Sequence, residues 1–203
     1  MGIATLRLRD YITIMWPRIF LVAVLSSCAL AQQTKKTPPH VDDDFVHDQF
    51  GSSCTLDPNF APMTGDLNSD GIEDLVLVGR CKNALIDQDE KNYKVIDPMD
   101  SFYGYGNPKI TSSMGPADPR LKDIVLLVIH GAGTDAWRST TPGEKFVIIN
   151  LAVKTATLKK LKLNKKKSVT AIYVEESTGD QMTSEIYWDG RKYKYEPLGS
   201  SAE

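Results

Sequence analysis

Histidine, cysteine and tryptophan are all scarce, at three of each in 203 residues. So few histidines leave little material for general-base chemistry, and only His130 adjoins a predicted strand. No G-x-S-x-G nucleophile turn occurs anywhere in the chain. No apolar run reaches the roughly 20 residues that a membrane-spanning helix needs. No stretch carries a clean, long 3.6-residue apolar period, which argues against a helical bundle. A surplus of basic charge is also missing. The first 31 residues hold three of the 24 basic and one of the 26 acidic residues, so the remainder is acidic by four. That balance speaks against a nucleic-acid partner.

The N-terminal residues have the parts of an export signal, and residues 1–31 are expected to be one. Arg18 precedes the apolar Ile19–Leu25, and small residues follow, ending in Ala29-Leu30-Ala31. Initiation at Met15 would give the more compact signal. Cleavage after Ala31 competes with a second exit, because Leu25-Ser26-Ser27-Cys28 resembles a bacterial lipobox. That exit would make Cys28 a lipidated first residue, and the membrane would be met only through this anchor. The expected location is secreted or periplasmic, or lipid-anchored at the outer membrane. With Cys28 discarded or acylated, Cys54 and Cys81 remain, and an even pair in an oxidising compartment predicts one disulfide.

Residues 32–45 are polar and Pro-containing, and read as a flexible linker ahead of one β-rich domain at 46–200. The cluster His40, Asp42, Asp43, Asp44, His47 and Asp48 fits a solvated charged segment better than a transition-metal site, since no spacing there puts ligands on one face. Strands are predicted at Leu75–Val78, Tyr93–Ile96, Ile124–Ile129, Lys145–Leu151, Val169–Glu175, Ser184–Trp188 and Lys192–Glu196, with a short helix near Phe45–Phe50. Ile124–Ile129 is apolar throughout, as in a central strand covered on both faces. Asp189-Gly190 signals a hairpin between the last two strands. The lysine-rich 159–167 reads as a solvated strand pair and turn.

The segment Gly65-Asp66-Leu67-Asn68-Ser69-Asp70-Gly71-Ile72-Glu73-Asp74 carries the strongest chemical signal. Side-chain oxygens stand at 66, 68, 70 and 74, Gly71 allows a sharp turn, and Ile72 can offer its carbonyl. Calcium takes six to eight hard oxygen ligands, and carboxylates this close repel each other without a cation. The residue in the twelfth position of this loop is Leu77, not the Glu of an EF-hand, and a strand pattern follows instead of a helix. The segment resembles the calcium loop of FG-GAP and VCBS-type repeats, where D-x-N-x-D-G-x-x-D runs into a hydrophobic strand. The resemblance implies a structural calcium held by Asp66, Asn68, Asp70, Ile72 and Asp74. A degenerate copy is suggested at Leu121–Leu126, which parallels Ile72–Leu77 at an offset of 49. Two copies cannot close a propeller, so the expected fold is mainly β, with antiparallel blade-like sheets, long loops and little helix.

Two further segments invite a functional reading. Leu127-Val128-Ile129-His130-Gly131-Ala132-Gly133 resembles the strand and oxyanion turn of α/β-hydrolases, but the nucleophile turn is missing and a glycine turn after a strand explains it better. Phe102, Tyr103 and Tyr105, with Trp137, offer a possible aromatic platform for sugar rings. The expected role is therefore an exported, non-catalytic, calcium-stabilised binding or envelope-associated module. Its partner would be an extracellular glycan or a cell-envelope protein. The alternative is an extracellular hydrolase built on His130–Gly133.

Overall fold

A computed structural model of the chain describes residues 40–97, 121–165, 167–176 and 182–200. All of them belong to one unit, Thr37–Glu203. The export signal with Cys28 lies outside the described residues, as do Phe102, Tyr103 and Tyr105. The chain is mainly β, in two largely antiparallel sheets that close into neither a barrel nor a propeller.

Helix α1, Asp43–Phe50, starts where Asp42 caps it by accepting the Phe45 amide at 2.9 Å. Asp43 and Asp44 lie in the first turn, where the helix dipole favours negative charge. The linker boundary expected at residue 45 therefore falls inside a helix. The His40–Asp48 cluster supplies that helix's cap and first turn, and Val46 and Phe50 fasten it to the core. The helix ends at Gly51, whose φ of +90° suits glycine, and where a Cβ would lie 2.1 Å from the Asp87 carboxylate.

The first sheet contains β1 (Cys54–Leu56), β2 (Met63–Gly65), β3 (Asp74–Cys81), β4 (Lys94–Ile96), β5 (Ile124–Ile129) and β6 (Lys145–Ile148), with a short helix α2 (Gln88–Lys91) before β4. The order is β1-β3-β5-β6-β4. β1 and β2 share one edge of β3, pairing with its C-terminal and N-terminal halves respectively. Among the described residues, only β4 and β6 pair in parallel. The second sheet is a four-stranded meander, β7 (Val153–Lys162), β8 (Ser168–Glu176), β9 (Met182–Trp188) and β10 (Tyr193–Ser200). The last hairpin closes one residue later than Asp189-Gly190 suggests. The Asp189 amide bonds the Lys192 carbonyl, and Gly190, at φ +107°, and Arg191 are the central residues.

Period-two alternation explains how the sheets pack. Leu75, Leu77 and Cys81 of β3, with Val125, Leu127 and Ile129 of β5, face a core shared with Val46, Phe50, Tyr93 and Trp137. Val76 and Val78, with Ile124, Leu126 and Val128, face a second core shared with Ile172, Val174, Ile186 and Tyr193. The first sheet is thus buried on both faces, which is why Ile124–Ile129 is apolar throughout. Cys54 and Cys81 stand directly opposite in register and form the disulfide expected of them. Leu121–Leu126 does not act as a second copy of the Ile72–Leu77 unit. β3 and β5 are antiparallel neighbours in one sheet, with Leu75 opposite Ile129, whereas tandem blades would place equivalent strands in separate sheets.

Candidate metal site

Register assembles the Asp66–Asp74 loop. Gly65 of β2 pairs with Asp74 of β3, so residues 66–73 form the connection of a β-hairpin and both ends of the motif meet at its base. Ser69 and Gly71 adopt left-handed φ values of 65° and 83°, which fold the chain back over itself. The Asp66 carboxylate accepts the amides of Asp70 and Gly71, each at 3.1 Å. Asn68 Oδ1 accepts the Asp70 amide at 3.0 Å, and Asp70 Oδ1 accepts that of Ile72 at 2.7 Å. These are side chain to backbone bonds of the kind Asp and Asn make in turns, and they shape the loop before any ligand arrives.

Asp74 differs from its neighbours in being completely buried. Its Oδ2 accepts the Leu67 amide at 2.7 Å, and its Oδ1 accepts the Gly131 amide at 2.8 Å. Burial pushes its pKa up to about 6, against the opposing pull of those two bonds. The nearby Asp70 charge adds to the rise.

A second segment clasps the loop from across the fold. After β5 the chain turns at His130-Gly131 and makes 3-10 turns across Gly133–Arg138, interrupted at Ala136 (φ 56°, ψ −134°). Trp137 Nε1 and Arg138 Nη1 donate to Glu73 Oε1 at 2.9 and 2.8 Å, and the Trp137 amide bonds the Glu73 carbonyl. The Arg138 guanidinium holds the Glu73 carboxyl below its usual range and lies 4.2 Å over the Trp137 ring. Gly131 approaches so closely that a Cβ there would sit 2.3 Å from the Glu73 carbonyl oxygen. Trp137 is itself 6% exposed and meets Phe45 edge-on, so it is a core anchor here.

His130 turns inward. Its Nε2 shares a 2.7 Å hydrogen bond with Tyr193 Oη, and its ring lies 5.0 to 5.8 Å from those of Phe146, Trp188 and Tyr193. Burial draws its pKa down to about 4, with the Glu144 charge working the other way. The next two amides are engaged within the protein: Gly131 donates to Asp74 and Ala132 to the Ala136 carbonyl. An oxyanion turn needs such amides pointing at a substrate. The arrangement matches a strand ending in a packed glycine turn.

Donor type and chain path fit a hard cation. Asp66, Asn68, Asp70 and the Ile72 carbonyl occupy a single turn of chain, and buried Asp74 supplies a carboxylate at its foot. Among the described residues, no three His, Cys, Asp or Glu side chains converge as a metal cluster by themselves. The Asp70 carboxylate is instead turned toward Ile72 and Asn68, whose Nδ2 it accepts at 2.8 Å. Each Asp70 oxygen keeps a lone pair beyond the bond it accepts, so an ion held here would need the side chains to converge without giving up their amide bonds. The repeat-like spacing revealed the loop, but not the clasp. Gly131, Trp137 and Arg138 are remote in sequence, and only the glycine turn after β5 hinted that a close approach was needed. Comparison with family models, with curated proteins and with solved structures finds no match for this chain.

Proposed function

We propose that this chain is an exported, calcium-stabilised, non-catalytic binding module of the cell envelope. Asp66, Asn68, Asp70, the Ile72 carbonyl and Asp74 hold the ion. The observation that carries this reading is the fully buried Asp74 carboxylate at the base of an aspartate-rich hairpin loop. A carboxylate there is costly to ionise alone, and a divalent cation offsets both that cost and the repulsion from Asp66 and Asp70. When bound, calcium supplies charge and cross-linking to the loop. The protein's part is to set the oxygens through amide hydrogen bonds and to keep water away from Asp74. Export is supported by the signal-like N-terminus and by the Cys54–Cys81 bridge, which suits an oxidising compartment.

Thermal unfolding across a calcium series tests the reading. Binding to the folded state alone stabilises by RT ln(1 + [L]/Kd), about 2.7 kcal/mol at 100 times Kd. The melting temperature is expected to rise with calcium, to fall back with chelator, and to lose this response in Asp70→Ala. Melting indifferent to calcium and chelator overturns the metal site.

A further inference from the structure

We propose that the face of the first sheet opposite the disulfide carries a binding site for a small anionic sugar unit, independent of the metal loop. A hollow of about 320 Å³ opens there, lined by Ser53 and Thr55 beside Cys54, Arg80 and Lys82 beside Cys81, and Lys122 and Asp123 at the entry to β5. That volume lies at the small end of the range for ligand pockets, roughly 300–1,000 Å³, and suits a single ring.

The alternation of the strands builds the site. Cys54 and Cys81 point into the first core, so residues one position away on each strand point to the other face. Further along β3, that face carries Val76 and Val78 into the second core; at Arg80 and Lys82 it leaves the apolar core and becomes cationic. Thr55 pairs with Arg80 across the strands, and the Lys82 amide bonds the Ser53 carbonyl. The disulfide thus pins both walls of the hollow. A third wall is fixed when the Cys81 amide bonds the Asp123 carbonyl at 2.9 Å and Arg80 Nη1 bonds the Lys122 carbonyl at 3.1 Å.

Charge at the site is unevenly satisfied. Arg80 is committed to the buried Asp57, with Nη2 3.0 Å from Oδ2, and it serves as a fixed wall. Among the described residues, neither Lys82 nor Lys122 has a carboxylate within ion-pair distance, and Asp123 has no cationic side chain within that distance. Two unpaired ammonium groups beside hydroxyl-bearing Ser53 and Thr55 suit an oxyanion. An unpaired carboxylate on the same rim accepts hydrogen bonds from hydroxyls. A ligand bearing both an oxyanion and hydroxyls satisfies all three charges, whereas a bare anion leaves Asp123 repelling it.

Calorimetric titration of the purified, disulfide-intact protein tests this with galacturonate, glucose 6-phosphate, inorganic phosphate and neutral galactose. The two anionic sugars are expected to bind saturably and more weakly as salt screens the lysines. The double variant Lys82→Ala/Lys122→Ala should weaken them at least about tenfold, a loss of about 1.4 kcal/mol. Both side chains are exposed, so the variant should keep the wild-type circular dichroism spectrum. Asp123→Asn should weaken the sugar acids but not phosphate. Inorganic phosphate binding as tightly as glucose 6-phosphate removes the hydroxyl-reading half of the proposal. Binding that the double variant leaves unchanged, galactose binding as tightly as galacturonate, or no saturable binding by any probe up to about 10 mM overturns the site.

Discussion

Protonating His130 is a specific threat to the fold, because its imidazole is 4% exposed within a box of Phe146, Trp188 and Tyr193. Folding lowers its pKa from 6.5 to about 4, so between those values the unfolded chain takes up a proton that the folded chain refuses. Its contribution to stability is present above pH 6.5 and is lost as pH falls toward 4, by up to about 3 kcal/mol. Asp74 works in the opposite direction over an overlapping window. Its folded pKa is raised to about 6, so without a cation the protein loses stability as pH rises through that value. The His130 effect is therefore read as a difference between wild type and His130→Phe in urea unfolding at pH 7 and pH 5. Wild type should lose stability relative to the variant at the lower pH, and equal responses would dismiss the buried neutral imidazole. The neighbouring Gly131 makes a steric prediction. Gly131→Ala places a methyl group against the Glu73 carbonyl and Ile72, so overpacking should cost about 1–3 kcal/mol and weaken calcium binding with it. An unchanged melting temperature would show that the clasp can yield. At this scale the D-x-N-x-D-G-x-x-D spacing was readable, since every oxygen lies within one short segment. The burial of Asp74 was not, because it depends on the approach of Gly131, 57 residues away in sequence.

Strand β1 is three residues long and owes its place on β3 to the disulfide as much as to its ladder. Cross-linking residues 27 apart in sequence restricts the unfolded chain, and on the chain-entropy model this is worth about 3–4 kcal/mol. The Cys54→Ala/Cys81→Ala variant should lose about that much in urea unfolding, with a changed denaturant slope because the unfolded chain can expand further. A loss well under 1 kcal/mol would assign β1's position to its hydrogen bonds alone. Legibility at this scale followed length and burial. β5 was readable to the residue because both its faces are covered and no polar residue interrupts it. β1 and β2 were missed because Cys-Thr-Leu and Met-Thr-Gly are too short to display a period and lack the Val, Ile and Tyr that marked the equally short β4. β7 was seen only as part of a lysine-rich strand pair. It is an edge strand with one face exposed, and its lysines mask an apolar face made by Ala156 and Leu158. Such lysines suit an edge, where they discourage pairing with another chain.

The whole unit is organised around the first sheet, whose two faces feed two cores, and the candidate metal loop touches both. Leu67, inside the loop, is 1% exposed and belongs to the second core; Trp137, which holds Glu73, belongs to the first. Opening either core therefore releases one support of the loop, and an ion bound there should stabilise both cores together. This coupling predicts a single unfolding transition in which far-ultraviolet circular dichroism, reporting the sheets, coincides with fluorescence from Trp137 and Trp188, one in or against each core. Calcium should move the two traces by the same amount. Ile172→Ala then separates packing from binding. Ile172 is fully buried in the second core, far in sequence from the loop, and its truncation should cost about 2–5 kcal/mol. The variant's folded state still presents the same oxygens, so the stabilisation added by a fixed calcium concentration should match that of wild type. That increment depends on Kd for the folded protein and not on the stability of the fold beneath it. Two separate transitions, or a calcium shift confined to one probe, would mean that the cores unfold independently and that the loop secures only one of them.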